Sequence, residues 1–358
     1  MLKEFSWKKW SVAAFTVICG MIVLVMVLVF VFDPFFHYHA PLKGVPYILD
    51  NERYQNYGIA AHFDYDAFIT GTSMCENFRP SQVDELFGTN CVKLTNGGAF
   101  FKETSDMEAY AMKNNPDVKM IIRSVDLAFV FNEWDYRNPE VPDPEYMYDN
   151  NPFNDGDYIF NTSVVTDYLP RTIQRTLNGD TADTFDEYGN FEDKLTFSKE
   201  AVLSHTSHPA RNPEQRGMTD EEREELRVSI EKNFVANVKA HPDVQFYYFF
   251  PPYSVLGWYI TYISDGKYYA YTEAMRMISE EMIQYDNVHL FTFDDAYDIT
   301  TNLDNYGDAG HYSAEISDWI IDQMAADNYR LTEDNIDSRL SEIEKYYYEL
   351  DYEKFYEE

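Results

Sequence analysis

Ser73, Asp308 and His311 are the residues whose types and spacing could carry covalent chemistry. Ser73 stands in YDAFITGTSMCENFRPS (65–81), where a strand-like run stops at Gly-Thr-Ser and restarts as the front of a helix. A glycine permits a tight turn that other residues resist, so the serine is presented at the carboxyl end of a strand. A hydroxyl is a poor nucleophile until a base takes its proton, so Ser73 matters only if a histidine reaches it. Of the eight histidines, His311 has the right company. It lies in NYGDAGHYSAEISDWIIDQM with Asp308 three residues upstream. On one turn that spacing lets the carboxylate accept a hydrogen bond from one imidazole nitrogen while the other faces the substrate.

Neither motif is specific alone, because glycine-serine turns end many strands and Asp-His pairs are common on surfaces. Their order is what favours a catalytic triad. Ser73 follows the first strand, a glycine-bearing loop (LTNGGAF, 94–100) follows the second, and the Asp-His pair comes after the last.

The strands that must position these residues are legible as short runs rich in β-formers at 66–70, 91–94, 118–125, 244–250 and 287–293. Helical patterns separate them, which predicts a parallel five-stranded sheet wrapped by helices, a three-layer α/β/α sandwich of flavodoxin-like order. PSQVDELFG runs from Pro80 to Gly88 with proline near its start and glycine past its end. TSDMEAYAMKNNP closes before Pro116. Thr219 and Glu222 are spaced as a capping box, followed by Leu226, Ile230, Phe234 and Val238 on one face. Residues 133–218 break the alternation, with DYIFNTSVVTDYLPRTIQRTL as their one helical stretch. An insertion this long is either a lid over the site or a structural flap.

Residues 11–32 are 22 positions without a charge, enough to cross a bilayer as an uncleaved anchor. Lys3, Lys8 and Lys9 outnumber Glu4 before the span and Trp7 and Trp10 suit the interface, so a cytoplasmic tail 1–10 and an extracytoplasmic domain 33–330 are expected. An acidic terminal helix, 331–358, packs through Leu340, Ile343, Tyr347 and Leu350. The chain has 28 basic and 62 acidic residues. Such a balance excludes nucleic acid or anionic lipid held through a basic patch.

A serine after the first strand, LTNGGAF after the second and DxxH near the end together resemble the SGNH/GDSL hydrolase superfamily. Within it, the anchor and DPFFHYHAP are similar to a membrane-anchored branch that includes the D-alanine transfer protein of teichoic acid synthesis and polysaccharide O-acetyltransferases. The resemblance implies Ser73 as nucleophile, His311 as general base and Asp308 as its orienter. It also implies that the amide of Gly97 or Gly98 joins that of Ser73 around the oxyanion, roughly 3 kcal/mol per donor, with Asn96 bracing the loop. Two departures stand out. Thr72 replaces the aspartate of the name-giving motif, and IIRSVDLAFVFNEWD lacks the Gly-x-Asn-Asp block, leaving Asp126 and Asn132 as loose candidates to line the site.

The expected activity is that of an esterase or O-acyltransferase on a cell-envelope glycan or polymer, without metal or cofactor, with a membrane-bound O-acyltransferase as a candidate partner. The alternative is a non-catalytic scaffold of the same fold. Other residues have simpler readings. His37 and His39 suit the membrane interface better than an incomplete metal site, and His289 suits a packed strand. His205, His208 and Arg211 are candidate substrate contacts in the insertion. Cys75 and Cys91 are either a disulfide or two core thiols. FFPPYSVLGW (249–258) should share the rim with Ser73, where its aromatics could meet a sugar.

Overall fold

A computed structural model describes residues 7–149 and 151–357; Lys3 and Glu4 lie outside the described residues. Five parallel strands form one sheet: β1 Ala67–Gly71, β2 Cys91–Thr95, β3 Met120–Ser124, β4 Gln245–Phe250 and β5 Val288–Thr292, in the order β2-β1-β3-β4-β5. Ala67 sits beside Cys91 on one side and Met120 on the other. Parallel strands of this kind are apolar along their whole length because helices cover both faces, and all five residues of β1, β2 and β3 are buried.

Alternation along the strands separates the two faces. Tyr247 meets Phe87 of helix Pro80–Phe87, and that helix packs on helix Ala314–Ala325. Its neighbour Tyr248 points the other way, toward Glu108 of helix Phe101–Asn114. The order changes direction between β1 and β3, and open α/β sheets place ligands at such a switch point, outside the carboxyl ends of the strands.

The helix ends follow local rules. Gly88 closes helix Pro80–Phe87 at φ 72°, in the left-handed region. Thr219 and Glu222 cap each other's backbone as a capping box, a device of about 1 kcal/mol. The helix they open carries a π turn at Glu231–Val235, and its stripe Leu226, Ile230, Phe234 and Val238 is buried throughout. The helix expected from Thr104 begins earlier, at Phe101, because the turn after β2 feeds straight into it and Glu103 Oε2 accepts the Phe100 N–H.

The chain divides differently from the boundaries read in the sequence. Residues 64–142 and 185–358 make the sheet unit, whereas 143–184 join the residues up to Phe63 in a second unit. The stretch 133–218 is therefore not one insertion. Its middle, with helices Gly156–Ile159 and Leu169–Asn178 around a π turn at Val164–Tyr168, packs on the end of the apolar helix Trp7–Phe32. The terminal helix Ile336–Glu349 belongs to the sheet unit: Tyr347 stacks on Trp258 at 4.4 Å and donates to Asp294 O, while Leu350 lies past the helix end.

Helix Trp7–Phe32 is long and apolar enough to cross a membrane, with only 6% of its most apolar 18-residue window buried. DPFFHYHAP turns the chain at its end. Asp33 accepts the N–H groups of His37, Tyr38 and His39 and the hydroxyl of Tyr158. The His37 and His39 rings bond to Met147 O and Phe30 O, so this histidine pair fixes a turn.

Candidate active site

Gly71 ends β1 at φ 125°, and a Cβ there would lie 2.5 Å from Ser124 Oγ. Backbone conformation and space both demand glycine, which is why the strand stops where it does. The chain then enters a short 3₁₀ turn, Ser73–Cys75, whose first N–H groups are partly satisfied by the Thr72 hydroxyl. Ser73 is left half-buried at the strand's carboxyl end.

The structure brings Ser73, His311 and Asp308 together. Ser73 Oγ lies 2.8 Å from His311 Nε2, and His311 Nδ1 lies 2.7 Å from Asp308 Oδ2. The other carboxylate oxygen accepts the N–H groups of Gly310 and His311, each at 2.8 Å. Burial raises the Asp308 pKa, but the His311 hydrogen bond, the imidazolium charge and these two amides outweigh it and hold the group down at about 2. For His311 burial favours the neutral ring, yet the Asp308 hydrogen bond and charge, helped by Asp126, raise it above its ordinary value. The result is an ionised carboxylate locking the imidazole with Nε2 turned to the serine.

The histidine loop is pinned from three sides. Tyr306 donates to Pro252 O at 2.7 Å, Ser254 Oγ to Ala309 O at 2.7 Å, and Tyr312 to Met74 O at 2.5 Å. FFPPYSVLGW thus lies beside the site, and Tyr253 turns its hydroxyl inward to Asp126.

Asp126, just beyond β3, is 2% exposed. It accepts from Ser124 Oγ at 2.8 Å, Thr72 Oγ1 at 3.1 Å and Tyr253 OH at 2.6 Å. Burial raises its pKa against the pull of these three hydroxyls. It therefore braces the Ser73 turn from behind, through the hydroxyl of Thr72. The Tyr253 ring also lies 3.2 Å from where a Cβ on Gly310 would be, so this one side chain touches both the nucleophile's support and the histidine's. Tyr253→Phe keeps the ring and removes one donor to a buried carboxylate, and the expected loss is about 1–3 kcal/mol of unfolding free energy. Tyr253→Ala should cost more, because the ring's support of Gly310 goes too; thermal denaturation of both variants checks this.

The loop after β2 is tied to the nucleophile strand by Asn96 N–H donating to Gly71 O at 2.9 Å. Gly98 takes φ 70°, and a Cβ on Gly97 would sit 2.6 Å from Glu76 Oε1. The backbone N–H of Asn132 bonds back to Phe129 O. Phe191, from the far end of the 133–218 stretch, meets the His311 ring edge-on at 5.4 Å, and its N–H donates to Asn77 Oδ1. Sequence reasoning missed Phe191, which sits in no motif, and placed Tyr253 near the site without its bond to Asp126.

Other candidates are placed elsewhere. His208 stacks on Tyr356 at 3.7 Å and Arg211 donates to Tyr348 O, so these two support the C-terminal segment, while His205 bonds to its own helix. His289 stacks on Tyr247 as a strand residue. Cys75 and Cys91 are buried free thiols whose pKa values burial pushes up. Among the described residues no three His, Cys, Asp or Glu side chains are grouped to hold a metal.

No family model and no curated protein matches the chain. A solved structure from Streptococcus pneumonia, provisionally described as a platelet activating factor, aligns with 11% identity and a TM-score of 0.36, covering 76% of this chain and 88% of that one.

Proposed function

We propose that the protein is a membrane-anchored serine esterase or O-acyltransferase of the SGNH/GDSL type, acting outside the cell membrane on acyl esters of an envelope glycan or teichoic-type polymer. The observation that carries this reading is the unbroken hydrogen-bonded series Ser73 Oγ, His311 Nε2, His311 Nδ1 and Asp308 Oδ2, with links of 2.8 and 2.7 Å.

In this mechanism Ser73 Oγ attacks the acyl carbonyl as His311 Nε2 takes its proton, and Asp308 stabilises the imidazolium. The carbonyl oxygen becomes an oxyanion held by the amides of Ser73 and Gly97 or Gly98. Collapse breaks the bond to the leaving group, which takes the proton from His311 and leaves an acyl-serine. Water or a glycan hydroxyl then gives its proton to His311 and attacks the acyl carbonyl, and collapse breaks the ester bond to Ser73 Oγ, which takes that proton back from His311. Phe191, edge-on to the imidazole, narrows the approach to that base.

Trp7–Phe32 is read as the anchor, with Lys8 and Lys9 on the cytoplasmic side. A membrane-bound O-acyltransferase is the partner that such an anchor would meet, as donor of the acyl group. The competing reading is a scaffold that keeps the fold without turnover. A fluorophosphonate serine probe separates the two. The enzyme reading expects labelling of the wild type and its loss in Ser73→Ala, whereas no labelling under conditions that mark a known serine hydrolase supports the scaffold.

A further inference from the structure

The last two turns of helix Trp7–Phe32 are not bare. Val29 is fully buried, and Val25, Leu28 and Phe32 pack with it against Tyr158, Ile159, Val164, Tyr168, Leu169 and Ile173. Discounting those last eight positions, the 26-residue helix keeps 18 uncovered, about 27 Å at 1.5 Å per residue. Lys8 and Lys9 draw its first turn into the headgroups, so the apolar part left is shorter than a hydrocarbon core of about 30 Å. The helix spans only if its covered turns also reach membrane depth. The segments packed around them must then lie level with the outer headgroups.

Those segments carry apolar side chains that nothing in their own unit covers. Phe153, in the turn before helix Gly156–Ile159, is 95% exposed, and Phe160, directly after Ile159, is 50% exposed. Leu177 continues the ridge of Leu169 and Ile173 by one more turn and is 82% exposed. Tyr38, Tyr54, Tyr146 and Tyr148 border the same cluster, and tyrosine is the residue type enriched where hydrocarbon meets water.

We infer that residues 151–178 form a collar around the outer end of the anchor that inserts Phe153, Phe160 and Leu177 into the headgroup and upper acyl region of the bilayer. The inference rests on Trp7–Phe32 being the anchor. Its occupant is lipid: the exposed residues adjoin a surface already at membrane depth. Asp155, Asp157 and Asp167 close by oppose an anionic surface, which favours zwitterionic phospholipid.

The test uses the full chain in phosphatidylcholine vesicles. Native Cys19 lies mid-helix and takes a fluorescent thiol probe, while Cys75 and Cys91 are buried. In a Cys19→Ala background the probe is moved to Phe160→Cys or Leu177→Cys. Chain-centre spin-labelled lipid should quench the Cys19 probe. Spin label near the headgroup should quench the two collar probes more strongly than the chain-centre label does, and iodide in the water should quench them little. A Cys19 probe that no lipid label quenches overturns the anchor itself. A quenched Cys19 probe with iodide-accessible collar probes overturns the collar alone. So do collar probes shielded from both quenchers, which would be covered by a second copy of the chain.

Discussion

Ser73→Ala and His311→Ala should each lower turnover of a small soluble ester by about 10⁶, and the double variant should lose hardly more, because the residues act as one unit. Asp308→Asn should cost about 10⁴ while the fold and the serine's position persist. Its amide cannot take the Nδ1 proton's charge, and the imidazole loses both its orientation and the source of its raised pKa. The pH profile tests the same point. His311 must be neutral to act as base, and its pKa is raised above 6.5, so kcat/KM falls as pH drops through a value above 6.5. In Asp308→Asn that acid limb should move down. Asp308 at about 2 stays ionised throughout the working range. Near-normal turnover in Asp308→Asn would show that another carboxylate holds the histidine.

Glu108→Ala is expected to destabilise the sheet unit by about 3–5 kcal/mol, the cost of leaving one member of a buried ion pair alone. Arg123 projects from the central strand β3 with its side chain fully buried, and its Nη1 donates to Glu108 at 3.0 Å and to Asn233 O at 2.9 Å. Its guanidinium lies 4.3 Å over the Phe234 ring. Glu108 in turn accepts from Asn237 Nδ2 and Tyr248 OH. Burial raises the carboxyl's pKa and Arg123 opposes it, so the pair survives as an ion pair only while both members are present. Glu108→Gln, which keeps the shape and one acceptor, should fall between the two. Chemical denaturation of the full chain in detergent gives the ranking, and an alanine variant as stable as wild type would show that water reaches Arg123.

The strand runs, the capped helices and the three residues of the serine relay could be read because each is announced by its neighbours within a few positions. Arg123 was harder, as was Lys93 in β2, whose ammonium donates to Glu76 O and Tyr188 O. Both interrupt apolar strands that bury them completely, and their partners lie 15 to 110 residues away. The same holds for Asp126, whose hydroxyl donor Tyr253 stands 127 residues on. The division of the 133–218 stretch could not be seen either. Its middle reads as helical, with Leu169, Ile173 and Leu177 four apart, but that period does not say which element the helix packs on.

Tyr312 donating to Met74 O and His311 meeting Ser73 both close contacts 238 residues apart. Contacts of that separation form slowly, because a long loop must be ordered before it is rewarded. On the proposed reading, in which the chain emerges through a membrane from its amino end, the serine turn comes out with no base to activate it. The proposed esterase competence should therefore appear in one step, at the moment the last strand and the loop after it dock. On that reading a translocating chain halted anywhere before Asp308 would present the serine without reactivity, and its surroundings would be protected from a half-made enzyme.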